Sequence, residues 1–90
     1  MVTEGLSAII NIHVESKKLG SVTERLAEMD EVVDLYEVTG ESDIVALIKA
    51  QGIAEFRGFI KDEVSRIDGV RNAVSAVVLF THKKDGVRIK

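Results

Sequence analysis

The chain has 90 residues, no Cys, no Pro, 46% hydrophobic residues and a net charge of −3. This length excludes a second domain. Without Cys, neither disulfides nor Cys-bound zinc can support a core that buries only roughly 60–65% of the unfolded surface. Val and Ile supply 22 residues, which excludes a disordered chain. A pI of about 5.3 argues against a dedicated nucleic-acid or membrane-surface binder. The charge is nonetheless split: residues 1–45 carry 3 Lys/Arg against 10 Asp/Glu, and residues 46–90 carry 9 against 5. Met1 to Leu6 lacks the basic start and apolar stretch of an export signal, and no apolar run is long enough to span a bilayer. The cytoplasm is the expected compartment.

From Leu6 to Glu15, the residues Ala8, Ile10, Ile12 and Val14 alternate with Ile9, Asn11, His13 and Glu15, which predicts a strand. Leu19-Gly20 breaks it. Ser21 with Glu24 three residues on has the spacing of a capping box, and Val22, Leu26 and Met29 then give one apolar helical stripe. Val32 to Val38 is β-branched and reads as a second strand, followed by a turn at Thr39 to Ser42 in which Gly40 can adopt positive φ. Asp43 to Ala50 alternates again, as a third strand. Ile53, Phe56, Phe59, Ile60, Val64 and Ile67 make the strongest helical pattern in the chain, closed by Asp68-Gly69. Val70 to Thr81 is expected to be a long fourth strand. Lys84-Asp85-Gly86 then turns into a short strand, Val87 to Ile89.

The order β-α-β-β-α-β predicts an α+β, ferredoxin-like domain over residues 1–90, with a short tail hairpin at 82–90. Right-handed crossovers place the strands in the order 4-1-3-2, with both helices on one face of an antiparallel sheet. The other face should be polar if it met water. Instead Ile9, Val45, Leu47, Val77 and Leu79 are expected there, forming an apolar patch that a monomer rarely carries. The expected cover is a second copy, packed sheet against sheet; the alternative is a few tolerated surface aliphatics.

No catalytic constellation emerges. His13 and His82 fall at opposite ends of the sheet, over roughly 20 Å apart at about 3.3 Å per residue, so no metal site is expected between them. Glu41 and Asp43 have the spacing of paired acid–base carboxylates, yet no nucleophile accompanies them, and turn stabilisation is the competing reading. No glycine-rich phosphate loop is present, and strands 1 and 3 lack the aromatics of an RNA-stacking platform. His82, Lys83, Lys84, Arg88 and Lys90 form a basic tail that could meet phosphate or an acidic partner, or simply be solvated. Glu24, Glu28, Asp30, Glu31 and Asp34 cluster around the first helix, and Arg57, Lys61 and Arg66 lie on the second. Salt-sensitive contacts between dimers follow if those surfaces meet.

The segment Val33 to Val45, with its Val-Thr-Gly-acidic-x-Asp turn from Val38 to Asp43, resembles the C-terminal effector-binding (RAM) domain of the Lrp/AsnC feast/famine regulators. So do Asp68-Gly69-Val70-Arg71 and the strand Ala73 to Leu79; the resemblance covers residues 6–82. It implies a ferredoxin-like fold that dimerises through its sheets, dimers that assemble into an octamer-like ring, and amino-acid effectors bound between dimers. It assigns effector contact to Gly40, Glu41, Ser42 and Asp43 on the turn, and to Ala73 and Ser75 on the last strand. Ala73 stands where the family often has a hydroxyl, and Ser42 where it often has an aromatic. The turn is expected at the end of the sheet from which strand 4 leaves, with Ser75 nearer the other end. A pocket using both would then draw on two subunits.

No helix-turn-helix pattern is present, so direct DNA binding is not expected, and no cofactor or membrane contact is implied. The resulting expectation is a non-enzymatic, oligomeric amino-acid-sensing module that modulates transcription, acting through co-assembly with full-length Lrp/AsnC regulators. The alternatives are a structural interaction protein whose pocket no longer works, and a small dimeric αβ-barrel enzyme.

Overall fold

A computed structural model describes residues 5–89; the expectations placed on Met1 to Glu4 and on Lys90 lie outside them. Strand β1 spans Leu6–Val14, α1 Leu19–Ala27, β2 Val32–Glu37, β3 Ile44–Ala50, α2 Ile53–Gly58 and β4 Val70–Val77. All pairings in the four-stranded sheet are antiparallel, and the order is β2-β3-β1-β4, as the crossover rule predicts. The core lies between one sheet face and the helices. Ala8, Ile10, Ile12 and Val14 of β1 and Ile44, Ala46, Ile48 and Ala50 of β3 are buried against Val22 and Leu26 of α1 and Phe56 of α2. Each large side chain so buried contributes about 1.5–3 kcal/mol.

Helix α1 begins three residues earlier than the sequence suggests. A 3₁₀ turn over Ser16–Lys18 leads straight into it, so Ser21 already lies inside the helix. Its hydroxyl donates to the Lys18 carbonyl (3.1 Å) rather than capping with Glu24. At α2 a carboxylate does serve the helix start: Glu55 accepts from the Gln51 amide at 2.6 Å. The helix continues as a π-helical stretch, Phe59–Val64, marked by the Ser65 amide donating to the Ile60 carbonyl at 2.9 Å. Phe59 and Val64, five residues apart, are both buried, and the i→i+5 winding between them brings the two nearer to one line on the helix. Ile53, counted above with the apolar stripe, is 54% exposed.

Gly69 turns the chain into β4 at φ 103°, and a Cβ there would fall 2.5 Å from the Lys18 Cβ, so both conformation and space call for glycine. Strand β4 then carries a bulge. Val14 pairs with Val70 and His13 with Asn72, leaving Arg71 as the extra residue. The bulge reverses the alternation of everything after it. Val77 pairs with Ala8 on the helix side, which corrects its expected place on the open face. Leu79 lies beyond the strand, 95% exposed, and is likewise not part of that face's ladder. The residues β4 does bring to the open face are Val74 and Ala76, opposite Asn11 and Ile9. Ile9, Val45 and Leu47 are there as expected, with Tyr36 beside Val45.

β4 stops at Val77, not Thr81. The Val78 amide makes one more bond, to the Ser7 carbonyl at 2.8 Å, before the chain leaves the sheet. The tail forms a separate hairpin of β5 (Lys83–Lys84) and β6 (Val87–Arg88). Asp85 and Gly86 turn it with φ of 52° and 81°, the positive values that a two-residue hairpin turn demands.

Candidate effector-binding turn

The β2–β3 turn is tied to β1 by a set of bonds that leaves few of its groups free. The Val38 amide donates to the Asp43 carbonyl, and the Asp43 amide to the Ile12 carbonyl, both at 3.0 Å. Asp43 Oδ2 accepts from the Val14 amide at 2.9 Å, satisfying a backbone donor at the bulge, where the ladder is disrupted. The Ser42 hydroxyl, 9% exposed, reaches Asn11 Oδ1 at 3.3 Å. His13 Nε2 meets the Glu41 carbonyl, and its Nδ1 is buried without a hydrogen-bond partner among the described residues. The ring therefore serves as an Nε2–H donor that fastens the turn to the strand.

This division of labour separates residues that the sequence grouped together. Asp43 and Ser42 are occupied in holding the turn, which is the turn-stabilising role weighed above for the carboxylate pair. Glu41 is exposed, and its carboxylate has no hydrogen-bond partner among the described residues. Gly40, at φ 122°, lifts the backbone where a side chain would be strained and leaves open space around its Cα. The free charge of the turn is the Glu41 carboxylate, beside an approachable backbone and the exposed Thr39. His13 and Asn11 were not singled out for this role. Their signal is in the sequence: Asn11 and His13 are successive polar positions on the side of β1 that faces away from the helices, at the end where the turn lies.

Ala73 and Ser75 are elsewhere. They pair with Ile12 and Ile10 and so lie on the helix side, Ala73 half-buried and Ser75 exposed beside α2. The turn, by contrast, bonds to Asn11 and His13 on the open side. It also sits at the end of the sheet where β4 enters, not where it leaves as expected, because β3 starts opposite Ile12 and β4 starts opposite Val14. Within one chain the sheet itself stands between the two sets of residues. His82 lies past the far end of β4, stacked edge-on against Phe80 at 4.7 Å, remote from His13 by the register.

Comparisons with known proteins agree on the origin of this architecture. Residues 7–88 match the family model described as the Lrp/AsnC ligand binding domain. The chain is 35% identical over 77 residues to the HTH-type transcriptional regulator FL11 of Pyrococcus horikoshii, covering 86% of this chain and 50% of that protein. The chain thus spans about half the length of the curated relatives it matches. Among solved structures, E. coli AsnC superposes with a TM-score of 0.81 at 22% identity, over 84% of this chain and 52% of that one. The feast or famine regulatory protein of M. tuberculosis, solved as a complex with L-methionine, superposes with a TM-score of 0.78 at 25% identity, over 89% and 54%. No described helix is long and apolar enough to cross a membrane. With a family model matched across nearly its whole length, and the fold of E. coli AsnC in its sheet and helices, this chain belongs to the Lrp/AsnC ligand-binding domain family of transcriptional regulators.

Proposed function

We propose that this domain is a non-enzymatic, oligomeric effector-sensing module that takes an amino acid and modulates transcription by co-assembling with full-length Lrp/AsnC regulators. The observation that carries the reading is the turn: Ser42 and Asp43 are bonded into the sheet, and the exposed Glu41 carboxylate is left free beside Gly40. A free carboxylate next to an open backbone suits an α-ammonium group, through short charge-assisted hydrogen bonds. The relative from M. tuberculosis was solved with L-methionine, which supports an amino acid as the ligand class.

Assembly follows from the open face. Ile9, Val45, Leu47, Val74 and Tyr36 form a partly exposed apolar surface that a second copy covers sheet to sheet. Dimers then associate into a ring in the cytoplasm, with the effector between them. Isothermal titration of the chain against the twenty amino acids, with sizing chromatography at low and high salt, tests both parts. Heat with one or a few amino acids and a multimeric elution are expected. Silence with all twenty sinks effector sensing and favours a purely structural assembly protein; a monomer sinks the interface.

A further inference from the structure

The groove between α2 and β4 is lined by Phe56, Arg57, Ile60, Lys61 and Ser75. Phe56 and Ile60 are four residues apart, as are Arg57 and Lys61, so an apolar stripe runs beside a cationic one along the same helix. The cationic stripe is only partly neutralised by its neighbours. The residues three and four positions from Arg57 are Ile53, Ala54, Ile60 and Lys61; those around Lys61 are Arg57, Gly58, Val64 and Ser65. No carboxylate stands three or four positions from either cation, and each has the other, an arrangement that repels; Asp62, five positions after Arg57 on the π-wound stretch, offsets one of the two charges. The ion pair found among the described residues lies elsewhere, between Lys18 and Asp68. Asp62 shares the groove next to Lys61 and leaves the lining side chains net positive. The β4 bulge supplies the remaining element, because it turns the Ser75 hydroxyl to this side of the sheet.

We propose that this groove is a binding site for an aliphatic monocarboxylate. Arg57 and Lys61 take the carboxylate, Ser75 donates a further hydrogen bond, and the alkyl chain lies along the half-buried Ile60, with only the edge of the buried Phe56 ring within reach. Arg offers a planar fork that matches both carboxylate oxygens, and Lys adds a point charge. The apolar stripe favours a hydrocarbon tail over a small inorganic anion. An α-amino acid meets the description at its carboxylate end. Its ammonium would need Glu41, which the sheet separates from this groove within one chain, so a second copy would have to supply it. That last step alone rests on the effector reading of the turn.

The test is a titration of the ¹⁵N-labelled chain followed by amide shifts, with 4-methylpentanoate, leucinamide and inorganic phosphate as separate probes. 4-Methylpentanoate is expected to shift the amides of Phe56 to Lys61 and Ser75, leucinamide to leave them in place, and phosphate to bind far more weakly. Arg57→Gln and Lys61→Gln, both at exposed positions and checked for fold by circular dichroism, should each weaken 4-methylpentanoate by about tenfold. Unmoved groove amides, unchanged affinity in the double variant, or phosphate binding as tightly as the carboxylate would each overturn the site. The two readings fail separately. Groove amides unmoved by 4-methylpentanoate in a chain that still gives amino-acid heat remove the groove and spare the turn. Carboxylate binding in a chain that is silent to all amino acids does the reverse.

Discussion

Asp43 and Glu41 are two positions apart and differ by one methylene, yet the fold puts them to different uses. Asp43 accepts from the Val14 amide at a place where the β1–β4 ladder is interrupted, so removing its oxygens strands a part-buried donor. Asp43→Ala should cost about 1–3 kcal/mol in urea unfolding, and Asp43→Asn, which keeps one acceptor, clearly less. Glu41→Gln should fall within about 0.5 kcal/mol of the parent, because nothing in the sheet leans on that side chain. Equal losses at the two positions would remove the distinction on which the effector reading depends. The Lys18–Asp68 pair, 2.5 Å apart, offers a second test at this scale. Asp68, by its hydrogen bond first and its charge second, raises the Lys18 pKa, with partial desolvation opposing and Glu15 adding. A lysine whose folded pKa lies above its unfolded value stabilises the fold fully below the unfolded value, about 10.4, and loses that contribution as pH rises through the raised one. The stability difference between the parent and Asp68→Asn should therefore hold steady through neutral and mildly alkaline pH and fade above that point. Salt should shrink it throughout, since both groups are solvated.

The elements show where periodicity was a sufficient guide and where it failed. Strict alternation in β1 and β3 located both strands and their buried sides, because a period-2 pattern admits only one face for each residue. β4 defeated the same reasoning. A single extra residue at Arg71 shifts the phase, and nothing in Val70-Arg71-Asn72-Ala73 announces a bulge; it is defined by which partner residues it faces. Uninterrupted alternation therefore puts Val77 on the wrong side, and Ser75 has a neighbourhood on α2 that the sequence does not suggest. The second helix failed differently. Its apolar residues all fit one α-helical stripe, so the pattern reveals neither the π winding of Phe59–Val64 nor the difference between Ile53 and Phe59. The structure ranks them apart: Phe59 is 4% exposed and Ile53 54%. Phe59→Ala should cost about 3–5 kcal/mol, with Ile53→Ala within about 0.5 kcal/mol, measured by chemical denaturation. Comparable costs would mean that the helix packs through a regular α stripe after all.

At the scale of the whole molecule, the chain is more extended than its length requires. Its radius of gyration is 13.6 Å, against about 12 Å expected for a compact domain of this size, and its long axis reaches 43 Å. The excess comes with a tail whose apolar side chains find little cover: Phe80 is 62% exposed and Val87 64%. Together with the open sheet face, this gives a domain with apolar surface on one side and a finished core on the other. A sheet-to-sheet dimer makes a sharp demand on β4, because the bulge decides which of its valines meets the partner. Val74 lies on the open face and is 55% exposed; Val77, three residues on, lies on the helix side. Val74→Lys would place a charge on the face proposed to meet a second copy, where burial without a partner is costly. It should move the protein to a smaller species in sizing chromatography without altering its circular dichroism. Val77→Lys should elute with the parent. If instead Val77→Lys dissociates the assembly and Val74→Lys does not, the partner packs against the helix side, and the apolar open face needs another cover.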